Sequence, residues 1–522
     1  MKKLRVGVVD ILGKSVSRKA FSRYMRANNA SIMPQAIAVW CAEMGHDVAM
    51  AYYDGPVLLT GREHERPDLV FINAYSQTAM LAYALSARYR AQGAVTVLGG
   101  PHTRSYPEHA VKYCDYALGF TDRELVEAVL QDCAPYRPEG QYLSAARQPF
   151  DVPGVRSRWP YIRMTMAKAP LLRTIPILGS LGCPYTCSFC IDAGVPYQPL
   201  DFDVLREDLR FLVKNWPPRA LLIWHDPNFG VRFDDYLGVI EEAVPPGSLI
   251  FAVESSLSLL KEENVRRLAR AGCRVIAPGI ESWFDLGDKS KMRSIRGMEK
   301  VRRVAEQMRM IASYIPYTQG NFIFGLDQDE GPEPFELTKR FIDLAPAVYP
   351  HFSLLTSYGR NAPANLAYQR AGRVLNVPFH FLNQLHALNV RPKHYAWPEL
   401  YGHIADLYAY AFSWKAIARR FRAGAGRLAA LEQVFRAISS ERNHKIRSHL
   451  QMKRRLEDPE VRRYFEGETT TLPDFFVRPV YEDLGPLARW FPEEALYHDP
   501  NAYLKSLGES SGFTLRAGRA VA

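Results

Sequence analysis

The feature that most restricts this chain is a strand–helix alternation that runs, with one interruption, from Leu4 to Tyr358. In the first part LRVGVVDIL, HDVAMAYYD, LVFINAYS, AVTVLGG and YALGF read as strands, and helical stretches such as SIMPQAIAVWCAEMG lie between them and close on glycine. Repeated strand–helix units leave parallel strands joined by crossover helices. Residues 1–145 are therefore expected to form an α/β domain with a Rossmann-like, doubly wound sheet. Ligands of such sheets sit at the carboxyl ends of the strands, which directs attention to Ala74–Thr78 and to Gly99-Gly100-Pro101-His102. Residues 146–170, rich in Pro and Arg, read as a linker. Over 171–360 a second series follows, with strands TIPILGS, LLIWHDPN, LIFAVESS, CRVIAPGIES, YTQGNFIFGLD and HFSLLTSY. Six such units suggest a partial (βα)6 barrel with its site at the C-terminal strand ends. Between them, Met298, Val301, Val304, Met308 and Ile311 recur at spacings of three and four, one apolar helix face. From 361 to 522 the alternation stops; this region reads as mainly helical, with a loose polar tail after Leu504.

Composition narrows the setting. Seven cysteines in 522 residues are too few for a disulfide scaffold, and the start MKKLRVGVVDILGKS reads as a first strand, not a signal peptide. The expected compartment is a reducing cytoplasm. No apolar run approaches the roughly 18 residues that span a bilayer. The formal charge of +11 is concentrated late, in Lys415–Arg463. No nucleic-acid motif accompanies it, so it reads as a solvated helical surface or a lid over an anionic ligand.

The chemistry-bearing element is Gly182-Cys183-Pro184-Tyr185-Thr186-Cys187-Ser188-Phe189-Cys190, directly after the first barrel strand. Three thiolates on one loop suit three irons of a cubic cluster and leave a fourth iron open. A structural zinc site is the competing reading, but it wants four tight ligands, and the next histidine along the chain is His225. This C-x3-C-x-aromatic-C loop, after strand one of a six-unit barrel, resembles the radical S-adenosylmethionine (SAM) superfamily. The resemblance implies a [4Fe–4S] cluster held by Cys183, Cys187 and Cys190, whose open iron chelates SAM for reductive cleavage to a 5′-deoxyadenosyl radical. It further implies SAM contacts from Phe189 beside adenine, Asp226 and Asn228 after strand two, Ser255 after strand three, Glu281 after strand four, and Phe324 and Gly325 after strand five. The family's frequent Gly-Gly-Glu triplet is absent.

The run Ala94–Leu98 into Gly99-Gly100-Pro101-His102 resembles the domain that precedes the barrel in cobalamin (B12)-binding radical SAM proteins. By that resemblance Gly99, Gly100, Pro101 and His102, with Ser76, Gln77 and Thr78 on the preceding turn, would face a corrin. No Asp-x-His-x-x-Gly motif is present, so cobalamin is expected without a histidine ligand to cobalt. The function implied is methyl transfer to an unactivated carbon of a small-molecule, lipid or natural-product substrate, with an external electron donor of flavodoxin or ferredoxin type. Two other readings are a radical SAM cyclisation, rearrangement or oxidation without methyl transfer, and a non-catalytic iron–sulfur protein. Tyr314, Tyr317, Tyr358 and His394 are candidate substrate-pocket residues.

Overall fold

In RVGVVDILG every residue from Val6 to Ile11 is buried, as a β-branched strand covered on both faces must be. In the computed structural model this segment is β1 (Arg5–Gly13), the centre of the first sheet. The structure describes residues 2–504 other than 15–23, 25–27, 29, 134–139, 170, 285–294, 384–387, 425 and 503; the tail beyond Leu504 lies outside the described residues. The sheet continues with β2 (Asp47–Asp54), β3 (Val57–Gly61), β4 (Leu69–Asn73), β5 (Val95–Gly99), β6 (Tyr116–Leu118) and β7 (Gln141–Leu143), in the order β3-β2-β1-β4-β5-β6-β7. All neighbours are parallel except β3, which turns back on β2. Trp40, Val126 and Val129 cover one face, and the helix Ala79–Ala91 covers the other through Met80, Leu81 and Tyr83. The doubly wound expectation holds. The strands β3 and β7 were not expected, because short edge strands with partly exposed side chains lack an apolar period.

The second sheet contains β8 (Arg173–Ile177), a short ribbon of β9 (Ser180–Leu181) and β10 (Gln198–Pro199) beside it, then β11 (Ala220–Trp224), β12 (Phe251–Val253), β13 (Cys273–Ile276), β14 (Gly279–Glu281), β15 (Tyr317–Phe324) and β16 (Tyr349–Leu354). Apart from the ribbon, every pairing is parallel, in spatial order β8, β11, β12, β13, β15, β16, with β14 continuing β13 along β15. Among the described residues nothing pairs β8 with β16, so the barrel is open. Val301, Val304, Met308 and Ile311 are buried beneath the helix Gly297–Tyr314 as their spacing requires, whereas Met298 in its first turn is exposed.

The open seam is spanned by two short helices that follow β5, Pro101–Ser105 and Pro107–Ala110. On the β8 side Arg104 meets Asp192 at 3.7 Å. On the β16 side the Ser105 carbonyl accepts from the Arg360 amide at 3.3 Å, Tyr106 Oη donates to the Ser357 carbonyl at 3.2 Å, and Glu108 pairs with Arg360. Gly359 permits this approach; it has φ +52°, and a Cβ there would lie 1.8 Å from the Ser105 carbonyl oxygen.

The expected linker is corrected. Val155–Met166 is a helix whose first two amides donate to Asp208 at 2.6 and 3.0 Å, and its buried Arg158 donates to Gln35 and to the Pro176 carbonyl. With the Pro153 carbonyl as a third acceptor this guanidinium is fixed in place, so the segment joins sheet to barrel rigidly. The C-terminal region is mainly helical as expected. Its basic stretch is not simply a solvated surface: Arg419 pairs with Asp343, Arg420 is buried, and Lys445 pairs with the buried Glu441. Arg436 donates to Tyr317 at 2.6 Å and to Gln319 at 3.1 Å. A π-helical segment, Ala437–Lys445, presents Glu441 and Lys445 to this network. No helix is long and apolar enough to cross a membrane among the described residues.

Gly359→Ala should destabilise the chain by about 2 kcal/mol or more, because the new methyl meets backbone in a left-handed conformation. Urea denaturation monitored by circular dichroism checks this.

Candidate active site at the barrel mouth

The cysteine loop is a compact closed turn. Gly182 has φ +69°, and a Cβ on it would lie 2.1 Å from the Pro196 carbonyl oxygen, so only glycine lets the chain leave β9 here. The Cys183 amide donates to the Val195 carbonyl at 3.2 Å, which closes the loop, and the Cys190 amide donates to the Cys187 carbonyl at 3.0 Å. Cys183 and Cys187 are buried, Cys190 is half-buried, and the Asp192 amide donates to Cys190 Sγ at 3.4 Å. An amide aimed at sulfur favours the thiolate form that metal binding requires. The other four cysteines are distributed through the core, where burial pushes Cys41 and Cys273 up to about 12 and raises Cys114 and Cys133. Those thiols are poor ligands; the loop thiols are the set with suitable chemistry. Among the described residues no three His, Cys, Asp or Glu side chains converge as ligands of a single metal ion would. A cubic cluster instead takes each thiolate on a separate iron.

Around the loop stand the ends of the barrel strands. Asp226 is buried, accepts from the Gly179 amide at 2.9 Å and from Ser180 Oγ at 2.5 Å, and so pins the turn from which the cysteine loop springs. Burial pushes its carboxyl up to about 6 against those hydrogen bonds. This corrects its expected role: both oxygens are engaged with the chain itself. Asn228 caps the short helix Phe229–Arg232, and its Oδ1 accepts from the Ser256 amide and Ser255 Oγ at 3.3 and 3.4 Å, tying the ends of β11 and β12 together. Glu281 ends β14 at φ +65°, a left-handed backbone that a non-glycine residue adopts only where its surroundings impose it. Its carboxylate lies back over Gly279, where a Cβ would come within 2.0 Å of Oε1.

Phe324 is a second correction. It stacks on Phe335 at 5.0 Å and contacts Phe352, in the layer between sheet and outer helices. Side chains alternate along a strand, so the opposite face of β15 belongs to Tyr317, Gln319, Asn321 and Ile323. Gly325, at φ +86°, starts a turn whose two amides, its own and that of Leu326, are held by Asp329 at 2.9 and 3.1 Å. Phe189 is half-buried on the loop. The four candidate pocket residues are not brought together: Tyr314 binds Glu262 on the outside, Tyr317 meets Arg436, Tyr358 donates to the Leu382 carbonyl, and His394 is exposed.

A cavity of about 270 Å³ joins the two sheets. Its walls include Gly99, Gly100, Pro101, Tyr75 and Asn73 at the carboxyl ends of β4 and β5, and Leu178, Leu181 and His225 at the ends of barrel strands. It continues as an apolar slot past Phe71, Val97 and Ile37. A Cβ on Gly99 would meet nothing within 4 Å, and Gly100 has φ +101° with Asn73 Oδ1 only 2.4 Å from a would-be Cβ. Bare backbone beside an apolar slot fits a large flat ring. Sequence reasoning missed Asn73, which with Ser31 is held by the buried Asp10 through bonds of 2.8 to 3.1 Å. An acid at the end of the apolar run RVGVVDIL was the available signal.

The remaining expected cavity residues face elsewhere. Ser76, Gln77 and Thr78 form a 3-10 turn packed against the segment Phe379–Phe381, with Ser76 and Thr78 buried. His102 is fully buried: its Nε2 meets Tyr83 Oη at 2.6 Å, the same hydroxyl meets His109 at 2.9 Å, and Phe379 lies between His102 and His498. It fastens the C-terminal end of the chain to the first domain.

Residues 177–342 match the sequence profile of the Radical SAM superfamily. An open parallel barrel with a three-cysteine loop after its first strand is the frame of that class, and residues 177–342 are a radical SAM domain, whose cofactors are a [4Fe–4S] cluster and SAM. Among its relatives is bacteriochlorophyllide d C-8(2)-methyltransferase of Chlorobaculum tepidum, 26% identical over 377 residues, which cover 68% of this chain and 79% of the relative. The fold is shared with the radical SAM methyltransferase TsrM of Kitasatospora setae, solved with cobalamin and a [4Fe–4S] cluster bound (TM-score 0.50, 16% identity, 72% of this chain and 79% of that one). It is shared also with OxsB, described as a cobalamin-dependent SAM radical enzyme (TM-score 0.50, 12% identity, 95% of this chain and 84% of that one).

Two outcomes follow from this geometry. Asp226→Ala leaves the turn beneath the cysteine loop without its acceptor and should weaken cluster retention about tenfold, read as iron and sulfide per chain after anaerobic reconstitution. Burial, helped by the His498 imidazole, lowers His102 to about 3, and burial lowers His498 itself to about 4. An unfolded histidine protonates near 6.5, so as pH falls below about 6.5 the unfolded chain binds protons first and stability drains away until about pH 3. Melting temperature should be flat above pH 7 and fall below 6.5, and His498→Phe should make that slope shallower.

Proposed function

We propose that this chain is a cobalamin-dependent radical SAM methyltransferase that methylates an unactivated carbon of a small molecule. The observation that carries this reading is the shared cavity, whose walls come from the Gly-Gly-Pro turn on one side and from the barrel strand ends beside the cysteine loop on the other. A reaction that combines a radical generated in the barrel with a methyl group carried in the first domain needs such a common space.

In this reading Cys183, Cys187 and Cys190 hold three irons of the cluster, with Cys190 steadied by the Asp192 amide. Asn228, Ser255 and Glu281 supply polar groups for SAM at the ends of β11, β12 and β14, while Phe189 packs beside its adenine. Gly99, Gly100 and Pro101 allow the corrin's close approach, and the apolar slot past Phe71 and Val97 excludes water beneath it. When bound, the cluster and SAM supply a 5′-deoxyadenosyl radical, and the cobalamin supplies the methyl group. The relative named for methylation of bacteriochlorophyllide d favours methyl transfer over radical chemistry without it. Seven cysteines with no disulfide framework also favour a reducing cytoplasm, with reducing electrons arriving from a flavodoxin- or ferredoxin-type donor.

Chain purified anaerobically from cells supplied with hydroxocobalamin should carry about one corrin, read from its absorbance spectrum. Gly100→Val should lose the corrin yet keep its iron. Reconstituted chain with reductant should release 5′-deoxyadenosine from SAM, and Cys190→Ala should abolish that release. A wild-type chain that keeps its cluster but never retains corrin overturns the methyltransferase reading.

A further inference from the structure

The helices Trp414–Ala423 and Arg427–Arg436 form a hairpin whose exposed side bears large apolar groups. Trp414 is 58% exposed, Phe421 45%, Leu428 85% and Leu431 56%. At about 100° per residue, Phe421, Trp414, Ala418, Arg422 and Lys415 fall on one arc of roughly 120°. The opposite arc, Ala416, Ile417 and Arg420, is buried. On the second helix Arg427, Leu431 and Leu428 likewise share one arc, with Ala430 and Gln433 buried behind them.

The charge on this surface has one sign. Lys415, Arg422 and Arg427 are exposed, and no acidic residue occurs from 407 to 431. Arg442 lies over the Trp414 ring at 4.8 Å. An exposed indole and alkyl side chains flanked by cations is the pattern of a helix that lies in the boundary of an anionic bilayer, where apolar groups enter the acyl region and cations meet headgroups.

The hairpin's place in the fold adds direction. Arg420 packs on Tyr349 at 5.3 Å, and a Cβ on Gly426 would touch Pro316 at 3.1 Å. Pro316 precedes β15, and Tyr349 begins β16. The hairpin therefore sits at the N-terminal ends of the barrel strands, about 20 Å along them from the cysteine loop. We infer that this hairpin seats the enzyme peripherally on an anionic phospholipid surface, with the barrel mouth turned away from the bilayer.

The test is flotation of the full-length protein with vesicles of phosphatidylcholine alone or with about one third phosphatidylglycerol. Wild type should partition at least about tenfold more strongly onto the anionic vesicles, and raised salt should weaken that binding. Trp414→Ser/Phe421→Ser/Leu428→Ser and Lys415→Glu/Arg422→Glu should each lose about tenfold while keeping the wild-type circular dichroism spectrum. Equal binding to both vesicle types, or by wild type and both variants, overturns the inference. So does a concentration-dependent dimer that the apolar triple variant abolishes, since a second copy would then cover the patch.

Discussion

The architecture depends on the two short helices Pro101–Ser105 and Pro107–Ala110. An open barrel leaves two strand edges whose neighbouring loops would otherwise be held only by their own strands. Arg104 reaches the loop beyond β8, while Ser105, Tyr106 and Glu108 hold the loop beyond β16, so the first domain spans the seam that the barrel leaves. Because these helices begin at the Gly-Gly-Pro turn, the same ten residues set the distance between the cavity wall and the cysteine loop. The approach is tight enough that Gly359 and Ser105 meet backbone to backbone.

Local order made much of this legible in the sequence. The three cysteines sit within eight residues, and loop geometry alone keeps them together. The six barrel strands were readable because short, largely apolar runs alternate with amphipathic helices. Which face of a strand looks inward was not readable. YTQGNFIF shows no clean alternation of polar and apolar residues, and only the phenylalanines of the outer helix Glu333–Leu344 show that Phe324 looks outward. Asp226 reads from sequence as a ligand-facing carboxylate; its commitment to Gly179 and Ser180 depends on contacts across nearly fifty residues. His102 follows the glycines that line the cavity, but one step into a helix turns it toward Tyr83 and the far end of the chain.

The C-terminal helices divide the chain's basic excess into two populations. Arg420, Arg436 and Lys445 face tyrosines and Glu441 at the lower end of the barrel, where buried charge is tolerable because each cation has partners. Lys415, Arg422 and Arg427 face solvent beside exposed apolar groups. Net charge alone does not distinguish these two populations.

The ion pair between Arg104 and Asp192 also makes the two halves of the site energetically aware of one another. Asp192 lies two residues beyond Cys190, and Arg104 four beyond Gly100, so whatever orders one loop narrows the conformations open to the other. A half-exposed pair of this kind carries at most about 1 kcal/mol. By reciprocity, occupancy of either half can through this pair change affinity at the other by no more than about fivefold. Such coupling is enough to bias the order in which the two halves fill, and too weak to forbid either order.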